Sequence, residues 1–190
     1  MLKIVTAPDT VLSQKAKKVT KIDKYVLDFI EKMKQALLCA KDPEGVGLAA
    51  PQLGKLLSIF ITRVSPKSPI RVFINPQILS RIKYKELSKK EDSLPNTKYK
   101  IHNTRLEGCL SLPSIWGHVR RSSGLTMSYL DEKGKSHSQK FTGFMTTIIQ
   151  HEMDHLDGIL FTKRVLEQKG TIYKSHKDED GEDIFEELEI

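Results

Sequence analysis

At 190 residues with 38% hydrophobic content, the chain is long enough for one well-cored domain and too short for two generous ones. Apolar runs of only a few residues exclude a membrane-spanning helix, and two cysteines exclude a disulfide framework and favour a reducing compartment. The net charge of +7 is unevenly held: residues 178–190 carry eight acids and no base, so elsewhere 31 bases face 16 acids, a formal +15 that suits an RNA-rich neighbourhood. The opening Met1-Leu-Lys-Ile-Val-Thr6 lacks the hydrophobic stretch of a signal peptide, so a cytoplasmic location is expected. A helix is predicted over residues 23–40, where Ile22, Val26, Phe29, Ile30, Met33 and Leu37 form an apolar stripe; Cys39 at its end reads as an inert small hydrophobe. Next comes Gly45-Val-Gly-Leu-Ala-Ala-Pro-Gln-Leu-Gly54. Its glycines permit close backbone approach, and Gln52 offers an amide among small apolar neighbours. No Gly-Lys-Ser/Thr follows, so it is not a phosphate loop; a tight turn ahead of a strand fits its glycines equally well.

Strands are predicted at 56–63 and 71–80, then a lysine-rich surface loop or extended hairpin over 81–104. In Glu107-Gly-Cys-Leu-Ser-Leu-Pro113, Gly108 and Pro113 bracket Cys109 and place it on a bend or short strand. Further strands are predicted at 117–122, 124–131 and 135–141, with Asp131-Glu-Lys-Gly134 as the hairpin turn between the last two. A buried helix then carries Phe144, Met145, Ile148 and Ile149 into His151-Glu-Met-Asp-His155, with Thr142 as its N-cap and a left-handed Gly158 at its end. A short strand near 159–163 and an acidic tail complete the chain. Strands grouped before a buried helix predict an α+β fold.

Two histidines four apart on a helix project from one face, roughly 6 Å apart along the axis, and can reach one metal ion. Glu152 between them can take the proton of a water acidified by that metal, so the pattern predicts metal-assisted hydrolysis. A third ligand is needed. The metzincin pattern requires a histidine where Phe161 stands, and the nearest downstream glutamate, Glu167, lies in a charged stretch. Cys109 is the remaining strong candidate, because a thiolate is a good ligand for a divalent transition metal.

In this order the three segments resemble the peptide deformylase family, whose members remove the N-formyl group from new bacterial proteins. That family shows GxGLAAxQ, EGCLS and QHExDHL; this chain has GVGLAAPQ (45–52), EGCLS (107–111) and QHEMDHL (150–156). Ala7-Pro8-Asp9 and Val11-Leu12 are similar to the family's opening, and the likeness runs over roughly residues 2–164. The resemblance implies antiparallel β-sheets packed around a central metal-binding HExxH helix. It implies a catalytic domain over residues 1–164 interrupted by the 81–104 insertion, then a C-terminal extension over 165–190 with the acidic tail.

Carried over by position, the resemblance implies that Cys109, His151 and His155 bind one divalent metal. Fe2+ is expected first, with Ni2+, Co2+ or Zn2+ able to take the site. Glu152 would be general base and acid, while the Gln52 side chain and the Leu110 backbone N–H would hold the oxyanion. The backbone of Gly47 would pair with the extended substrate. Val46, Phe144, Thr147 and Ile148 would line the methionine pocket, with the 105–116 loop as its rim. Thr147 and Arg105 stand where the family usually has aliphatic residues. Trp116 reads equally as a lip over the substrate or an ordinary packed residue, and Asp154 equally as support behind the ligands or helix solvation. The implied partners are nascent formylmethionyl polypeptides and the ribosome near its exit tunnel, with the chain a monomer. His102, His118, His137 and His176 lack partners at ligand spacing and are expected to be surface or packing residues. The rival readings are an endopeptidase, a Cys109 nucleophile with a histidine base, a non-catalytic ribosome-binding module, and a relative acting on other acyl groups.

Overall fold

The computed structural model describes residues 2–40, 44–82 and 104–189. The first helix, α1 (Lys24–Cys39), starts where the Asp23 carboxylate accepts from the Val26 N–H at 3.1 Å. Its stripe buries Val26, Phe29, Ile30, Met33 and Leu37, and Ile22 packs against the same cluster. Cys39, beyond the stripe, is exposed.

Two antiparallel sheets follow. One has the order β1 (Gly47–Ala49), β2 (Ile59–Thr62), β3 (Arg71–Ile82), β6 (Gly124–Leu130) and β7 (Ser136–Thr142). The other runs β4 (Thr104–Cys109), β5 (Leu112–Arg120), β8 (Ile172–Lys177) and β9 (Asp183–Glu187). The predicted turn at 131–134 joins β6 to β7. The Asp131 carboxylate accepts from the Lys133 and Lys135 N–H groups, and Gly134 takes the left-handed conformation at φ +75.

Between the sheets' contributions lies α2 (Phe144–Leu156), which packs against β1, β2 and β7 and buries Ile148, Ile149, Glu152 and His155. The expected α+β arrangement, antiparallel sheets around this helix, is the one found. Gly158 follows α2 at φ +70, as expected, and a Cβ there would lie 2.6 Å from the backbone of Ser13.

Several local expectations need correction. Thr142 does not cap α2: it completes β7 opposite Gly124, and Gly143 takes the cap position with no side-chain bond. The strand expected near 159–163 is instead the start of α3 (Phe161–Glu167). Phe161 and Val165, one turn apart, bury together against Cys109, Val119 and Ile172, and this packing outweighs the strand propensity of Ile159-Leu-Phe. The strand expected at 117–122 starts earlier, at Leu112, because it pairs with β4, expected only as a bend or short strand at Cys109. Within the lysine-rich 81–104 stretch, residues 81 and 82 extend β3 and Thr104 opens β4; the rest, including His102, lies outside the described residues. Part of the acidic tail forms β9, which pairs with β8, and residue 164 lies inside α3. No helix among the described residues is long and apolar enough to cross a membrane.

Candidate metal centre

The β4–β5 hairpin delivers the cysteine. Its register slips between Gly108 and Cys109, which pairs Cys109 with Leu112 across a two-residue turn, Leu110-Ser111. One face of α2 delivers His151 and His155, with ring centroids 5.0 Å apart. The Cys109 sulfur lies 3.2 Å from His155 Nε2, and the ligand atoms of Cys109, His151 and His155 all fall within 4.8 Å of one another. Burial alone would push the Cys109 thiol up, but His155 and His151 outweigh it and hold the sulfur well below the usual thiol range. The Ser111 N–H at 3.4 Å and Gln52 Nε2 at 3.6 Å face the sulfur as donors.

His151 is oriented from behind. Its Nδ1 lies 3.0 Å from the Glu107 carboxylate, which fixes the N–H on that nitrogen and leaves the Nε2 lone pair able to bind a metal. Burial would raise the Glu107 pKa, yet the Arg121 guanidinium and His151 bring it down to about 2. Arg121 grips Glu107 through two bonds of 2.8 Å and reaches Asp154 at 2.5 Å, while Arg164 holds the other side of Asp154 at 2.8 Å. Asp154 is only 8% exposed, so it supports the helix from inside rather than solvating it.

The remaining motif residues meet in the same place. Glu152 is buried, its Oε2 has no hydrogen-bond partner among the described residues, and burial pushes its pKa up to about 7. Gln52 is fixed at both ends: its Oε1 accepts from the Ala49 N–H at 2.8 Å and its Nε2 donates to Ser111 Oγ at 3.2 Å. A cavity of about 220 Å³ opens onto Cys109, His151, Glu152 and Gln52. Leu110, Gly47, Val46, Phe144, Thr147 and Ile148 also line it. Gly47 has no room for a side chain, since a Cβ there would collide with the Glu152 carboxylate and come within 2.9 Å of Ile148.

Arg105 stands apart from this wall. Its guanidinium sits over the Phe144 ring, 5.6 Å from the centroid, at the outer edge of the cavity. Leu106, Glu44 and Trp116 line the cavity instead. Trp116 is a wall residue of the cavity, and its indole N–H is bonded to Ser175. Sequence reasoning missed the roles of Glu107, Ser111, Arg121 and Arg164. The first two lie inside the EGCLS motif and were within reach; the arginines, on other elements, carry no spacing signal. His118, His137 and His176 are packing or surface residues, near Tyr173, Asp131 and Glu186 respectively.

The donors fit a transition-metal ion. One buried cysteine sulfur and two imidazoles converge, a donor set of the kind a catalytic metal site uses with a further position for water. An unpartnered carboxylate oxygen buried beside them is costly unless the site holds something for it to act on. Metal-assisted hydrolysis is the chemistry this arrangement can perform.

Comparison with known proteins agrees. The sequence matches the family described as polypeptide deformylase over residues 1–171. It is 36% identical over 170 residues to peptide deformylase 2 of Prochlorococcus marinus strain MIT 9313, covering 88% of this chain and 75% of that one. It is 36% identical over 160 residues to the peptide deformylase of Borreliella burgdorferi, covering 84% and 85%. The fold superposes on a peptide deformylase from Synechococcus elongatus, solved in complex with actinonin, with a TM-score of 0.72 and 33% identity over 86% of this chain and 79% of that one. With its family match extending over most of its length and its fold shared, the chain belongs to the peptide deformylase family.

Proposed function

We propose that this chain's deformylase reaction, removal of the N-formyl group from the formylmethionine of nascent polypeptides, runs on one divalent metal held by Cys109, His151 and His155, with Glu152 as the proton carrier. The convergence of the three ligand groups within 4.8 Å carries this reading. When bound, the ion supplies Lewis acidity that acidifies water and polarises the formyl oxygen. Ferrous iron is its physiological identity in this reading, with nickel, cobalt or zinc able to substitute; a thiolate beside ferrous iron makes Cys109 the point of oxidative damage.

The chain's own groups do the rest. Glu152 takes a proton from the attacking water and delivers it to the departing amine, so formate and a free methionyl N-terminus are released. Burial suits it to both tasks, because a carboxyl near pKa 7 is a competent base and a competent acid at neutral pH. As the formyl carbon becomes tetrahedral, its oxygen gains charge, which the Gln52 amide and the Leu110 N–H stabilise. Gln52 is preorganised for this, since its carbonyl end is tied to Ala49 and only its NH2 end is aimed at the sulfur. Gly47 pairs its backbone with the extended substrate, and Val46, Phe144, Thr147 and Ile148 receive the methionine side chain, with Arg105 reaching the substrate from the rim.

The enzyme works in this reading as a cytoplasmic monomer near the ribosome exit. The formal +15 of residues 1–177 supports that placement, because a basic surface is drawn to RNA and loses the attraction as salt rises.

Protein prepared anaerobically with ferrous iron or nickel is expected to release formate from a formyl-methionyl peptide while leaving internal peptide bonds whole. Removing the metal with a chelator should abolish release, and adding it back should restore it. Undiminished release from demonstrably metal-free protein would refute the assignment. A second expectation concerns Gly47. Gly47→Ala should lower kcat/KM by about 10²-fold, since displacing a positioned catalytic group by 1 Å costs that much. Metal content should stay at the wild-type value, and kinetics beside metal analysis checks both.

A further inference from the structure

We propose that Ser175 and Phe185, in the β8–β9 hairpin, are positioning residues that set substrate recognition by holding Trp116 in place as a wall of the catalytic cavity. The inference rests on the deformylase reading of that cavity. Trp116 lines it from β5 beside Gly108, and a Cβ on Gly108 would meet the benzo edge of the indole at 2.8–3.0 Å. Gly108 therefore lets the ring lie flat against the strand next to the Cys109 ligand, but offers no side chain to hold it there.

The C-terminal hairpin supplies the hold. Trp116 is paired with Tyr173 across β5 and β8, so Ser175, two residues on, shares its face of the sheet. Ser175 is in turn paired with Phe185 across β8 and β9, which brings Phe185 to the same face. The contacts follow this register. The indole N–H donates to Ser175 Oγ at 2.9 Å, and the Phe185 ring meets the indole edge-on, centroids 5.9 Å apart at 82°. One wall of the cavity is thus braced by residues that lie beyond residue 171, where the family match stops. The hairpin is also acidic and largely exposed, yet the middle of β9 makes this apolar contact.

Trp116 is the single tryptophan of the chain, so its fluorescence reports on this wall alone. The test measures, in full-length metal-loaded protein, steady-state kinetics on a formyl-methionyl peptide and the tryptophan emission of Ser175→Ala and Phe185→Ala. Both variants should raise KM roughly two- to tenfold, the range of one net hydrogen bond or ring contact, with kcat unchanged. The emission should shift to the red as the indole gains solvent. Ser175→Thr, which keeps the hydroxyl, should recover the wild-type KM and emission. A KM that stays at the wild-type value, or one that rises while the emission stays put, overturns the proposal. So does a loss confined to kcat, which would mark general structural damage. A wild-type protein that releases no formate would instead overturn the deformylase reading beneath it.

Discussion

Replacing Glu152 with alanine is expected to lower kcat for formate release by about 10²–10⁴-fold while the protein still binds one metal ion. The size follows from the two jobs assigned to one carboxyl. Hydrolysis of an amide needs a proton taken from water as the bond forms and a proton given to nitrogen as the other bond breaks. Glu152 sits between His151 and His155 on α2, lines the cavity and has an oxygen with no partner among the described residues. None of the other cavity-lining side chains combines a proton-transfer group with that position. Glu107 is nearest in kind, but it is committed to Arg121 and His151 and its pKa is brought down to about 2, too low to return a proton at neutral pH. Metal binding should survive, because Glu152 is not one of the three residues whose donor atoms converge. Glu152→Gln should be nearly as slow, since it keeps the shape and loses the exchangeable proton. A mechanism in which Cys109 attacks the substrate predicts the reverse: a mild effect here and loss of activity through the sulfur alone. Turnover of Glu152→Ala within tenfold of wild type, in protein shown to hold metal, would remove Glu152 from the chemistry.

How far the residues disclosed this site depends on the distance over which each signal acts. His151, Glu152 and His155 were legible because helical periodicity fixes which side chains share a face. Gln52 and Cys109 were legible as members of short motifs, although nothing local says that they approach each other across 57 positions. The extent of β4 was not legible because Glu107 and Gly108 interrupt its alternation; Glu107 is buried for its bonds to Arg121 and His151, not for its hydropathy. The β8–β9 hairpin was hidden by its charge. Its turn was nonetheless written in Asp178-Glu-Asp-Gly181, where the Asp178 carboxylate accepts from the Asp180 and Glu182 N–H groups and Gly181 is left-handed at φ +82. Arg121 and Arg164 could not have been found. Their partners come from β4 and α2, and an arginine bound for a buried carboxylate looks in sequence like one bound for solvent.

Arg121 is also where the largest loss of stability is expected. Its side chain is 8% exposed and stands between two carboxylates nearly as buried, Glu107 at 5% and Asp154 at 11%. Arg121→Ala would leave Glu107 charged inside the protein with only the His151 ring facing it, and Asp154 with Arg164 alone. Breaking a buried pair by removing one partner costs about 3–5 kcal/mol, because the surviving charge keeps its desolvation penalty and loses its compensation. For a chain of this length that corresponds to a fall in Tm of roughly 6–20 °C. The effect should reach the metal as well. Glu107 orients His151 through Nδ1, so a carboxylate that protonates or swings away releases the ring, and metal affinity should drop by about 10–100-fold. Arg121→Lys separates charge from geometry: an ammonium restores a positive charge but cannot bond Glu107 through two parallel N–H groups and still reach Asp154. It should therefore recover part of the Tm and little of the metal affinity. Thermal melts of the metal-free variants, beside metal titration of the same proteins, give both quantities. If Arg121→Ala melts within 2 °C of wild type, a threshold of roughly 1 kcal/mol, the Glu107–Arg121–Asp154 bridge is not what holds α2 against the cysteine hairpin.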